Sequence, residues 1–179
     1  MRKLLILLPL LVLPVSALAQ TKPATPHVEI FGGYSFLLAN QNNSSFNMNG
    51  ANFSVAENMN SWFGGALDFS SHWGTENGYN VNTQSITFGP VFTYRKNKTV
   101  VPFGHIMLGA ARGSPQYLNI SQSEWRFATY AGGGVDVNVN SRIAVRLIQA
   151  DYLMTRFSDI RQDNFRFSAG VVFKLGKRK

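Results

Sequence analysis

The stretch Asn164–Leu175, NFRFSAGVVFKL, decides the fold. Phe165, Phe167, Ala169, Val171, Phe173 and Leu175 share one parity, while Asn164, Arg166, Ser168, Gly170 and Lys174 share the other. Side chains on a strand point alternately to its two faces. One face of this strand is therefore apolar and ring-rich, and the other carries Arg and Lys. Its surroundings must accept both.

Working outward, the same two-residue alternation recurs along the chain after residue 20, and helical periodicity is hard to find. It predicts eight strands: His27–Ala39, Ala51–Glu57, Trp62–Ser71, Thr83–Arg95, Val100–Ala111, Trp125–Val139, Ile143–Tyr152 and Asn164–Leu175. In Ser85–Arg95, Ile86, Phe88, Pro90, Phe92 and Tyr94 oppose Ser85, Thr87, Gly89, Val91, Thr93 and Arg95. Short turn-forming connections (Asn58–Ser61, Lys96–Thr99, Asn140–Arg142) alternate strictly with longer polar ones (Asn40–Gly50, His72–Asn82, Arg112–Glu124, Leu153–Asp163). All the long connections then leave one end of an up-and-down meander, with both ends of the strand array at the other. Short periplasmic turns and long extracellular loops are the pattern of a bacterial outer-membrane barrel, although a soluble lipocalin-like barrel shares the eight-strand meander.

The faces separate the two. Charged residues make up 15% of the chain and aromatics 13%, against about 25% charged in a typical soluble domain. The polar faces hold too much Gly, Ala and Thr to make a good water-facing surface. The apolar faces carry more rings than an eight-stranded interior can contain. Turning the rings outward to hydrocarbon, with small and polar residues filling the lumen, removes both objections. A closed barrel is also the β arrangement that leaves no unpaired edge in lipid. No cysteine is present, so disulfides cannot hold the chain together.

The N-terminus fits export. MRKLLILLPLLVLPVSALAQ opens on Arg2 and Lys3, continues apolar from Leu4 to Val15, and places small residues at Ala17 and Ala19. This pattern predicts a secretory signal peptide spanning residues 1–19, cleaved after Ala19. Residues 20–26 form an extended lead-in, 27–175 a single barrel domain, and 176–179 a basic tail. Arg2 and Lys3 supply two units of the formal net charge of +8. For an exported chain the remaining excess points to anionic lipid rather than nucleic acid.

Inward cations need partners, because lone buried charges are costly. By parity the inward carboxylates are Glu29, Asp68 and Asp136, and the inward cations are Arg95, Arg146 and Arg166, with His105 as a polar companion. These predict an ion-pair and hydrogen-bond ladder in place of an apolar core, with Glu29 and Arg95 in the lumen or at its wet rim. The seventh strand breaks the alternation, since Arg146 and Asp151 differ in parity. Either a β-bulge near Ile148–Gln149 shifts the register, or Asp151 lies beyond the membrane.

The chain resembles the small eight-stranded outer-membrane barrels of the OmpA-like and OmpX-like kind. The pattern covers essentially the whole mature chain, and the opening strand VEIFGGYSFL (Val28–Leu37) looks like the first strand of those barrels. Such barrels end in an assembly signal of a polar residue, Gly, a hydrophobic residue and a terminal aromatic at fixed spacing. Ser168, Gly170, Phe173 and Leu175 fit that spacing, with Leu175 in place of the aromatic and Gly176–Lys179 following. The resemblance implies outer-membrane localisation, contact with outer-membrane lipid and lipopolysaccharide, and recognition by the outer-membrane insertion machinery.

Function is less directly written. The polar connections, such as NQNNSSFNMNG (Asn40–Gly50), suit a structural or adhesin-like protein that shows loops to an extracellular ligand. A lipid A-modifying enzyme needs a nucleophile, a base and an orienting group. Ser70-Ser71-His72 is the one suggestive arrangement, and it reads better as a polar cluster at a loop end. A narrow pore is opposed by the inward Arg and Asp. No catalytic residue, metal cluster or cofactor motif is assigned. AGGGVD (Ala131–Asp136) has no Lys-Ser/Thr and no following helix, and reads as glycine that lets neighbouring rings cross a crowded lumen or allows strand coiling.

Overall fold

The computed structural model describes residues 25–41, 44–76, 79–115, 124–157 and 160–177. Eight strands follow in chain order: β1 (Val28–Gln41), β2 (Ser44–Asn58), β3 (Phe63–Glu76), β4 (Tyr79–Thr93), β5 (Val100–Pro115), β6 (Glu124–Asn138), β7 (Ile143–Phe157) and β8 (Ile160–Leu175). Each pairs antiparallel with its sequence neighbour. β1 also pairs with β8, from Val28↔Leu175 to Leu38↔Phe165, and closes the barrel. The leader expected at residues 1–19 lies outside the described residues.

The alternating pattern sorts onto the two faces. Leu67, Phe69, Ile86, Phe88, Ile106, Leu108, Phe127, Val171 and Phe173 are exposed on the outer wall, whereas Asp68, Thr87, His105, Asp136 and Arg166 are buried inside. A lipocalin-like arrangement would have the opposite sidedness. No described helix is long and apolar enough to cross a membrane.

Two features differ from the sequence expectation. The long polar connections are mostly strand. β1 and β2 run on until residues 42–43 alone separate them, and residues 77–78 and 158–159 do the same for the next hairpin and the last. Strands of 14–16 residues exceed the roughly 9–11 a bilayer needs, so paired ribbons continue beyond the hydrocarbon in place of three of the four extracellular loops. Pairing is maintained because the inner face still buries Leu37, Met48 and Leu153, which outweighs the weak strand preference of Asn and Ser. Secondly, the apolar core is not wholly replaced by charge. Leu37, Met48, Met107, Ala111, Ala128, Tyr130 and Leu153 pack into a cluster in the extracellular half of the lumen.

The register of β7 is set by a bulge. Val135 pairs with Ile148, yet Asp136 pairs with Arg146, leaving Leu147 extra; the ladder to β8 skips at the same place. Leu147 and Ile148 both face outward. That single extra residue turns Arg146, Gln149 and Asp151 all inward.

The three periplasmic turns share one device. Asn60 Oδ1 accepts from the N–H groups of Trp62 and Phe63, Asn97 Oδ1 from Thr99 and Val100, and Asn140 Oδ1 from Arg142 and Ile143, all at 2.8–3.2 Å. Each side chain holds two backbone donors that would otherwise lack partners in the bend. Replacing any one with Ala is expected to cost about 1 kcal/mol. The turns are far apart, so the triple variant should lose about the sum. Urea midpoints in lipid vesicles measure both.

Candidate functional site

The lumen is the site, and it is built in layers. At the periplasmic end, Arg95 Nη2 lies 2.7 Å from Glu29 Oε2. Asn58 ties the pair together, donating to Glu29 Oε2 and accepting from Arg95 Nη2, each at 3.0 Å. Both side chains are largely shielded, so the pair sits inside the mouth rather than on a wet rim. Lys174 also points inward and donates to Asn138 Oδ1.

One layer deeper, Arg146 grips Asp136 with two hydrogen bonds, 2.8 Å from Nε and 3.1 Å from Nη2. Its Nη1 donates to Gln149 Oε1 at 2.6 Å. The flat guanidinium is clamped between the Phe31 and Phe103 rings, 4.4 and 4.1 Å from their centroids. The aromatic faces offer the cation negative quadrupole density where water is scarce.

Arg166 holds the centre and is 0% exposed. From β8 it reaches across the lumen to Asp68 on β3, with Nη1 2.8 Å from Oδ1. Its Nε donates to Asp151 Oδ2 at 2.8 Å, and Nη2 lies 2.7 Å from the same oxygen. The carboxylates are in turn saturated. Asn52 donates to Asp68 Oδ2 at 2.9 Å, and Gln149 to Asp151 Oδ2 at 2.8 Å. His105 Nε2 is 2.8 Å from Asp151 Oδ1 and must carry the proton, since an ionised carboxylate only accepts. Two carboxylates around one guanidinium leave a local negative excess. The amides and His105 disperse it with donors.

Below this layer lies a cavity of about 30 Å³ lined by Glu29, Asp68, Arg95, His105, Asp136 and Arg146 among others, room for roughly two water molecules. Above it, Met107, Tyr130 and Leu153 cover the network, with the Tyr130 ring 5.0 Å from the Arg166 guanidinium. Among the described residues, no group of three acidic, His or Cys side chains could hold a metal. His72 lies on β3 and not at a loop end. Its Nε2 meets Ser35 Oγ at 2.8 Å, and Ser35 meets Ser168 at 2.9 Å. All three are buried to 2% exposure or less.

Residues 5–173 match the family model described as outer membrane protein beta-barrel domain. The chain belongs to that family. Among solved structures, Neisserial surface protein A is 14% identical with a TM-score of 0.74, over 83% of this chain and 97% of that one. The attachment invasion locus protein Ail of Yersinia pestis is 21% identical with a TM-score of 0.59, over 83% and 99%. OprG from Pseudomonas aeruginosa is 9% identical with a TM-score of 0.55, over 85% and 97%. At these identities the likeness is one of fold. No curated protein matches the sequence.

Within this outer-membrane barrel the seven lumen residues named from sequence fall into three groups: Glu29 with Arg95, Asp136 with Arg146, and Asp68 with Arg166 and, through Asp151, His105. Of the C-terminal motif, Ser168 and Gly170 face inward along β8 while Phe173 and Leu175 face outward. Asn52, Asn58, Gln149 and Asp151 were not among the named residues. The first two share the parity of Ser54 and were legible on that ground. The last two depended on the bulge, which the opposite parity of Arg146 and Asp151 had offered as one of two readings of the seventh strand and which falls at Leu147, beside the Ile148–Gln149 position expected.

The glycine run explains how the network crosses β6. Gly132 stands between His105 on β5 and Asp151 on β7. A Cβ there would come 2.2 Å from Asp151 Oδ1. A Cβ on Gly134 would likewise come 2.9 Å from Cζ of the Phe103 ring. Without side chains on β6, groups from the two flanking strands touch over it. Gly132→Ala is expected to destabilise the barrel by about 1–3 kcal/mol through this overpacking, read as a lowered urea midpoint in vesicles.

Proposed function

We propose that the protein is exported by a cleaved signal peptide, inserted through the motif Ser168, Gly170, Phe173 and Leu175, and serves as a closed, non-enzymatic outer-membrane scaffold. Its work is to present strand ribbons and their tips to an extracellular ligand, or to lend integrity to the envelope. The observation that carries this reading is Arg166, fully buried and bound on opposite sides of the lumen by Asp68 and Asp151. A lumen filled in this way leaves no continuous aqueous path. It also gives the buried His72 no access to lipid.

Support for a ligand role comes from the name and complexes of a fold neighbour. Ail, an attachment invasion locus protein, has been solved with the heparin analogue sucrose octasulfate. Exchanging the ribbon tips 42–43 and 77–78 should abolish attachment to such a ligand while leaving heat-modifiable gel migration unchanged. Attachment indifferent to the exchange would refute the presentation role.

Closure is tested in planar bilayers, where the protein should give no steady conductance above the protein-free membrane. Large, sustained steps would establish a pore and overturn the reading. Lipid A mass spectra that differ between strains with and without the protein would establish an enzyme.

A further inference from the structure

Charge is not spread evenly over the exported chain. Inside the lumen it cancels: Arg95 meets Glu29, Arg146 meets Asp136, and Arg166 meets Asp68 and Asp151, with Lys174 as the fourth cation. In the extracellular segments Arg112, Arg126, Arg156 and Arg161 are offset by Glu76, Glu124, Asp159 and Asp163. The positive excess is left for the periplasmic end. There Lys96, Arg142 and Lys177 are exposed and Lys98 is half-buried, while the exposed carboxylate among the described residues at that end is Glu57. Lys22, Arg178 and Lys179, which flank the barrel in sequence, carry the same sign.

The excess is also one-sided. Lys96 and Lys98 sit in the β4–β5 turn, Arg142 in the β6–β7 turn, and Lys177 just past the end of β8. These are neighbours round the rim, since the Asn138 N–H donates to Thr99 O and the Lys174 N–H to Arg142 O. The β2–β3 turn carries no charge, and its Met59 and Trp62 are 56% and 57% exposed. Gly176, at φ +67°, bends the chain out of β8 beside His27, where a Cβ would stand 3.0 Å from the His27 Cβ. This bend takes Lys177 out of the line of the wall.

We propose that this arc binds the carboxylate-bearing peptide stems of the cell-wall polymer beneath the membrane. The inference rests on the envelope-integrity reading above and supplies it with a partner. Cations gathered on neighbouring turns repel one another, which favours an anionic partner there. The residue types fit a mobile one. Inside the lumen the buried cations that grip carboxylates are Arg, whose planar fork suits a fixed orientation. On the rim Lys96, Lys98 and Lys177 are compact charges on flexible stems, suited to carboxylates that move. Inner-leaflet phosphates would surround the barrel evenly, whereas these cations occupy the β4–β8 arc and leave the β2–β3 turn apolar. Several weak pairs acting together give avidity without a fitted pocket.

The full chain is placed in phosphatidylcholine nanodiscs and sedimented with purified peptidoglycan sacculi. Wild type should be retained about tenfold more than Lys96→Gln/Lys98→Gln/Arg142→Gln/Lys177→Gln, the combined scale of a few exposed ion pairs. The variant keeps Asn60, Asn97 and Asn140, so heat-modifiable migration should not change. Wild-type retention should fall to the variant's level in about 0.5 M salt, and on sacculi whose stem carboxyls have been amidated. No retention of wild type, equal retention of the two proteins, or retention indifferent to amidation overturns the proposal. So does an arc that enriches phosphatidylglycerol in mixed nanodiscs, counted by native mass spectrometry, without holding sacculi; the cations would then serve lipid phosphate. The scaffold reading fails by other signs, because sustained conductance and loss of heat-modifiable migration do not depend on the wall.

Discussion

Arg166→Met should destabilise the barrel by about 3–5 kcal/mol, because it strands two carboxylates in a site that excludes water. Asp68 and Asp151 each hold one side of the guanidinium at 2.7–2.8 Å, and among the described ion pairs neither has another Arg or Lys partner. The triple variant Asp68→Asn/Asp151→Asn/Arg166→Met removes the charges together and keeps the shapes. It should recover most of the loss, since replacing a whole buried ionic group is commonly near neutral where breaking it is not. Urea unfolding in lipid vesicles, followed by tryptophan emission, measures both. A single variant within about 0.5 kcal/mol of wild type would mean that water screens the centre of the lumen, contrary to the burial described.

Phe88→Arg tests the other side of the wall. Phe88 is 64% exposed and lies in β4 between Phe92 near the periplasmic end and Gln84 at the polar transition. On a water-facing wall, exchanging an exposed Phe for Arg is close to neutral or mildly favourable. At the midplane of a bilayer it costs about 2–4 kcal/mol. The same measurement on Asn82→Arg, above the apolar belt, should show about 0–1 kcal/mol. The contrast between the two positions maps the depth of the membrane along one strand. Equal, small effects at both would put the rings in water and remove the basis for every lumen assignment.

The two experiments address one arrangement from opposite directions. The charged minority is stable inside because each cation has carboxylate, amide or aromatic partners, and the rings are stable outside because their solvent is hydrocarbon. Neither half stands without the other. An apolar interior cannot be made from Asp68, Asp136, Arg146 and Arg166, and a water-soluble exterior cannot be made from Phe69, Phe88, Phe167 and Phe173.

Much of this was legible in the chain. Period-two alternation gave the strands, turn-forming residues gave the short connections, and parity assigned Glu29, Asp68, Arg95, His105, Asp136, Arg146 and Arg166 to the inner face. A further signal was present in SSFNMNG (Ser44–Gly50), where Phe46 and Met48 alternate with Asn47 and Asn49. It marks a paired ribbon, though the abundance of Asn and Ser reads as loop. Composition is a poor guide there because pairing depends on what each face touches, and the inner face of that ribbon still buries Met48.

The sequence by itself determined which residues face which way, because strand geometry makes parity a local property that needs no knowledge of the rest of the chain. Only the tertiary structure decided who meets whom. Arg166 and Asp68 are 98 positions apart and come together through barrel closure, while Asp151 joins them only because one bulge at Leu147 resets the parity of β7. Register and closure are collective, fixed by all eight strands at once, and so no stretch of residues could announce them.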